Sequence, residues 1–99
     1  MNRHGNKIQY HPLVVEKDIP KLDPTTRKRI KISIEKKLTT RPEIYGAPLR
    51  ANLRQYWKLR IGDYRVVYSI KDKTVYILLI SHRKDVYLLA ENRKQQNEY

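Results

Sequence analysis

From Tyr56 to Tyr68 the chain reads YWKLRIGDYRVVY, and the first half alternates hydrophobic and polar positions with a period of two. In a strand this puts Trp57, Leu59 and Ile61 on one face and Tyr56, Lys58 and Arg60 on the other. The Gly62-Asp63 pair supplies a turn, because glycine takes positive φ without steric cost. A second strand over Tyr64–Ile70 sets Arg65 opposite Tyr64, Val66 and Tyr68. The hairpin thus has an apolar face, to which Trp57, Tyr64 and Tyr68 belong, and a cationic face without carboxylates.

The same patterning predicts the remaining elements. Ile8 and Tyr10 alternate with polar neighbours and predict a short strand over Lys7–Tyr10. His11-Pro12 opens a helical segment in which Leu13, Val14 and Ile19 can pack and Lys17, Asp18 and Lys21 stay in water, and which Pro20 ends or kinks. Asp23 is a good N-cap and Pro24 suits the first helical position. From there Ile30, Ile34 and Leu38 form an apolar stripe at i, i+4, i+8, until Pro42 disfavours helix at Arg41. Glu43–Gln55 reads as a loop anchored by Leu49 and Leu53. Lys71-Asp72-Lys73 turns into a third strand, Thr74–Ile80, whose run Val75–Ile80 suits a strand covered on both faces. A helix follows from Lys84 with Val86, Leu89 and Ala90 inward, and Asn92–Tyr99 reads as a polar tail. The order β-α-α-β-β-β plus a C-terminal helix predicts an α+β fold, two N-terminal helices packed on a mostly antiparallel four-stranded sheet. Residues 1–99 form a single domain, with 1–6 and 94–99 as flexible ends.

Charge narrows the partner. Lys and Arg number 22 against 10 acids, a formal net charge of +12 and a pI near 10.1, which favours a polyanion such as nucleic acid. Cysteine is absent, which excludes disulfides and thiol chemistry. No apolar run spans a membrane and the N-terminus lacks a signal-peptide core, so the expected location is cytoplasmic, without a membrane partner. The acids are scattered, no HxH, HExxH or DxDxDG cluster occurs, and the three glycines are isolated; no metal or cofactor is expected. His82, beside Arg83 and Lys84, reads either as a strand-end histidine satisfied by backbone or as a proton-transfer group.

What remains is cationic and aromatic: Lys58, Arg65, Arg83 and Lys84 with Tyr56, Tyr64, Tyr68 and Tyr87. Cleaving RNA requires activation of the 2′-OH, stabilisation of charge on the phosphorane-like transition state, and protonation of the leaving 5′-oxygen. Preorganised Arg and Lys meet the second need, and a tyrosine or lysine meets a proton-transfer role. RNA brings its own nucleophile, so neither a metal nor a protein nucleophile is required.

In Pro48–Arg50, in Tyr56–Ile70 (YWKLRIGDYRVVYSI) and in Ile80–Tyr87 (ISHRKDVY), the chain resembles the RelE/ParE superfamily of type II toxin–antitoxin toxins. The likeness runs from about Lys7 to Tyr87, and the HRKDVY ending favours the RelE-like mRNA interferase branch. That resemblance implies a microbial-ribonuclease-like fold and a toxin that enters the 30S ribosomal A site, where it cleaves mRNA without metal to a 2′,3′-cyclic phosphate. It also implies a cognate antitoxin, with operator DNA bound only through the toxin–antitoxin complex. By match to the family motifs, Arg65 supports the scissile phosphate and Lys58 is one of two strand lysines, Tyr56 standing where the other would be. Arg83 or Lys84 takes the basic position before the last motif, and Tyr87 stacks on the base and aids proton transfer. Tyr56, Arg60, Arg50, Arg54, Lys28 and Lys31 are the expected further RNA contacts, with His82 an additional candidate. Two other readings share the fold: a ParE-like gyrase inhibitor, and a catalytically weak module that binds only antitoxin or nucleic acid.

Overall fold

A computed structural model describes residues 5–96. Five strands form one sheet in the order β1-β5-β4-β3-β2. They are β1 (Lys7–Tyr10), β2 (Ala47–Pro48), β3 (Trp57–Ile61), β4 (Tyr64–Lys71) and β5 (Thr74–His82). Only β1 and β5 run parallel; the other pairs are antiparallel. The α+β architecture agrees with the expectation, with one strand more: the expected loop contains the edge strand β2 and the short helix α2 (Pro42–Tyr45).

Asp23 accepts a hydrogen bond from the Thr26 N–H and starts α1 (Pro24–Ser33), which widens into a π-helical turn over Ile34–Leu38. The Ile30, Ile34 and Leu38 stripe packs against Leu59, Ile61, Val66, Tyr68, Val75, Ile77 and Ile80 on one face of the sheet. The first helical segment opens at Pro12 as expected but is irregular, with a π turn over Val14–Asp18 and a 3-10 turn over Ile19–Lys21 that carries the chain past Pro20.

The other face is covered by α3 (Val86–Gln96). Val86 and Ala90 pack with Leu49, Leu53, Tyr56, Val67, Leu78 and Leu79 into a second apolar cluster. A bulge lets β5 serve both clusters: Val67 pairs with Leu79 and Tyr68 with Ile77, so Leu78 is the extra residue and joins Leu79 on the α3 face. Leu89 is 38% exposed rather than inward, and the segment 92–96 is helical rather than a polar tail. The expected flexible ends over 1–4 and 97–99 lie outside the described residues.

Asp18 corrects the expectation most. It is 7% exposed, not solvated. Pairing with β1 ends at Ile77, whose carbonyl accepts from the His11 N–H, so Leu78 and Ile80 leave an unpaired edge of β5. Asp18 Oδ2 accepts the Ile80 N–H at 2.9 Å, while Arg93 of α3 donates to Asp18 Oδ2 at 2.7 Å and to the Leu78 carbonyl at 3.2 Å. An ion pair thus replaces the missing strand. Removing one member leaves a buried charge unmatched, so Arg93→Ala is expected to cost about 3 kcal/mol of stability, read as a lower urea midpoint at unchanged slope.

Gly46 meets a second constraint. The Tyr68 hydroxyl, fully buried, donates to the Pro42 carbonyl and lies where a Gly46 Cβ would sit. Burial first, and Glu43 second, hold the Tyr68 phenol above its usual pKa, so it remains a donor. Gly46→Ala is expected to destabilise by about 1–3 kcal/mol through overpacking. Adding Tyr68→Phe, which deletes the overlapping oxygen, should recover part of the lost melting temperature.

Candidate functional site: a cationic face around Tyr87

Register settles which side chains share a surface. Lys58 lies opposite Val67 and Arg60 opposite Arg65, so Lys58, Arg60 and Arg65 all project from the α3 face, as the alternation predicts. Gly62 at φ +59° makes the turn that joins their strands. Beyond the edge of α3 this face is uncovered, and here Tyr87 emerges from the first turn of the helix. Arg50 Cζ stands 5.5 Å and Lys58 Nζ 5.4 Å from the Tyr87 ring centroid, both within cation–π range. Tyr87 is half-buried, packed against the second cluster, so its ring has a fixed position.

Arg65 is held just as firmly. Its Nη1 donates to the Gly62 carbonyl at 3.0 Å and to the Tyr64 carbonyl at 2.9 Å. One side of the guanidinium is spent on the turn, and the remaining donors are available to an anion. Partial burial, then Arg60 and Arg83, lower the Arg65 pKa below its usual value, while Asp63 opposes them. The group stays charged, and Arg60 and Arg83 beside it add positive field that a phosphate would relieve. Arg83 lies in the 3-10 turn over Arg83–Asp85, tied to the hairpin by its N–H to the Asp63 carbonyl at 2.8 Å and by a 4.0 Å ion pair with the Asp63 carboxylate. Lys84, next in that turn, is exposed. Ser81 is the neighbour that sequence reasoning missed: cross-strand from Arg65 and 7% exposed, it is a buried hydroxyl on the same face. A small polar residue directly after the apolar run Val75–Ile80 was its signal.

Several expected members lie elsewhere. Tyr56 is buried in the second cluster and its hydroxyl pKa is raised by desolvation, so its ring does not lie on the open surface beside Lys58. His82 pairs with Tyr64 and meets its ring edge-on at 5.7 Å, on the α1 face; its Nδ1 accepts the Lys84 N–H at 3.2 Å. It caps a turn and is separated from the cationic centre by the sheet. Lys28 and Lys31 are exposed on the outer side of α1, on the opposite side of the sheet from Tyr87. Arg54 follows the 3-10 turn over Ala51–Leu53, bonded to the Ala51 carbonyl and beside Lys94 near the far end of α3. The structure therefore brings together Arg50, Lys58, Arg60, Arg65, Arg83 and Tyr87, with Lys84 at the rim.

Among the described residues no cluster of three or more His, Cys, Asp or Glu side chains could hold a metal ion, and no helix is long and apolar enough to cross a membrane.

The ParE toxin family of type II toxin–antitoxin systems (parDE) matches residues 8–87. The toxin RelG of Mycobacterium tuberculosis is 42% identical over 52 residues, half of this chain and 60% of RelG, so the alignment spans less than two thirds of that relative. The toxin–antitoxin complex RelBE2 of M. tuberculosis superposes with a TM-score of 0.74 at 28% identity, covering 85% of this chain and 98% of the other. The E. coli toxin RelE, as a free-state mutant, superposes with a TM-score of 0.71 at 20% identity over 91% of this chain and 98% of its own; at that identity the likeness concerns the fold. By a match over 80 consecutive positions and by its fold, the chain belongs to the RelE/ParE superfamily of type II toxin–antitoxin toxins.

Proposed function

We propose that this chain is a metal-independent endoribonuclease toxin that cuts mRNA in the ribosomal A site and so inhibits translation, with a cognate antitoxin as its inhibitor. The observation that carries the reading is Lys58, Arg60 and Arg65 on one uncovered face, with Arg83 in electrostatic reach of Arg65 and the Tyr87 ring within cation–π range of both Lys58 and Arg50. Arg65, already oriented by the Gly62 and Tyr64 carbonyls, offers its free N–H groups to the scissile phosphate without reorganising. Arg83 adds charge from the other side of the turn. Lys58 and Tyr87 are the adjacent groups able to move protons, one from the 2′-OH and one to the leaving 5′-oxygen. The attack closes a 2′,3′-cyclic phosphate and releases a 5′-hydroxyl, so no external nucleophile is consumed. Burial of Tyr56 explains how a family position can lack its second lysine: that site belongs to the core here. An antitoxin partner is supported by the RelBE2 complex, in which a similar chain is captured with one.

Family membership also favours a second reading, since the matching family is described by ParE. A ParE-like chain of this fold acts on DNA gyrase rather than on mRNA.

Primer extension on translated mRNA with purified ribosomes separates them. Codon-positioned cleavage is expected, persisting in EDTA at a level that leaves the subunits assembled. Arg65→Ala should slow it by about 10²–10³, and Tyr87→Phe should lower it sharply, while His82→Ala leaves it near wild type. Intact mRNA together with stabilised gyrase–DNA cleavage complexes would instead establish the second reading. Ribosome binding should weaken steeply with salt, each lysine or arginine on a phosphate adding about 0.7–0.9 to the slope of log K against log salt. A flat salt dependence would remove the role given to the basic surface.

A further inference from the structure

On the α3 face the cationic centre has a counterpart on the opposite flank of α3. Beyond the buried pair Val67 and Leu79, pairing brings Gln9, Tyr76 and Ser69 into one cross-strand row, and Lys7, Thr74 and Lys71 into the next. A cleft of about 390 Å³ opens here, lined by Gln9, Tyr56, Ser69, Lys71, Tyr76 and Leu78 among others, with no carboxylate in its walls. Tyr76 stands out on β5. It is 40% exposed, whereas Val75 and Ile77 beside it are at most 1% exposed. A solvent-facing aromatic ring in the middle of a sheet, flanked by an amide, a hydroxyl and lysines, has the components that hold an unstacked nucleotide. The ring offers a stacking surface, Gln9 and Ser69 hydrogen-bond a base edge, and the lysines neutralise phosphate.

We propose that this cleft is a second RNA subsite, taking an unstacked nucleotide with its base on Tyr76 and its phosphate at Lys71 and Lys7, apart from the Tyr87 centre. The proposal rests on the reading that the chain acts on RNA. Along β4 the two sites are roughly 13 Å apart, from Arg65 to Ser69 at about 3.3 Å per residue, with α3 crossing between them. Charge selects RNA over the antitoxin polypeptide as occupant. The cleft presents cations and a flat ring together, which phosphate and base match within one nucleotide.

Fluorescence anisotropy of the full chain with a labelled, 2′-O-methylated single-stranded oligonucleotide, which lacks the attacking hydroxyl, tests this. Tyr76→Ala is expected to weaken binding roughly tenfold, and Tyr76→Phe, which keeps the ring, to stay within about twofold. Lys71→Ala should reduce the salt slope by about one. A 4-thiouridine oligonucleotide should crosslink wild-type protein within Thr74–His82, a readout that needs no variant to fold. Unchanged affinity in Tyr76→Ala, or crosslinks confined to other segments, overturns the subsite. So does loss of antitoxin affinity with RNA affinity intact, which would assign the cleft to the protein partner. If wild-type protein does not bind the oligonucleotide, the RNA reading falls as well; if it binds and Tyr76→Ala binds equally, only the subsite falls.

Discussion

The free edge of β5 is the constraint on which the rest of this molecule turns. A strand edge with unpaired N–H and C=O groups is costly when buried and adhesive when exposed. β1 covers that edge only as far as Ile77, and the Asp18–Arg93 pair completes it. A buried ion pair is often no more stabilising than an apolar replacement. This one satisfies backbone groups that no apolar side chain could, and it joins three parts of the fold: the first helical segment, the bulged stretch of β5 and the last third of α3. With Arg93 pinned and Val86 and Ala90 seated on Val67, Leu78 and Leu79, α3 has one place to lie. Its first turn then delivers Tyr87 to Lys58 and Arg50.

A helix laid across one face of a sheet divides that face. On one flank of α3 the sheet carries like charges at close quarters, Arg60 directly opposite Arg65 with Arg83 nearby. Cross-strand like charges destabilise a sheet, and local conflict of this kind is expected where function rather than stability set the residues. On the other flank lies the cleft around Tyr76. Both surfaces pair cations with an aromatic ring, and both rest on the same strands.

Much of this was legible in the residues. Alternation assigned Lys58, Arg60 and Arg65 to one face because the period of a strand leaves no freedom once Trp57, Leu59 and Ile61 are committed to a core. Asp23-Pro24 marked a helix start because capping is local chemistry. Tyr56 shows where the same rule fails. It shares the parity of Lys58, yet the chain from Leu49 to Leu53 folds over it, and parity says nothing of what lies above a face. Leu78 and Leu79 could not be assigned to one face from an unbroken apolar run, because the bulge that puts both under α3 depends on pairing with β4. His82 read as a neighbour of the basic cluster, and adjacency along the chain meant the opposite face in the sheet.

Chemistry between near neighbours along the chain settles the hairpin and its two faces, the cap and stripe of α1, the cationic character, and the motifs that mark the superfamily. Which polar groups are buried and which basic residues meet depends on how distant elements pack. Asp18 looks like any solvated acid until Arg93, 75 residues away, crosses β5 to pair with it. Lys28, Lys31 and Arg54 look equal to Arg50 until the sheet puts two of them behind it and the third at the far end of α3. Local patterning fixes the direction of a side chain relative to its own strand or helix, whereas proximity comes from how elements pack to close their open edges.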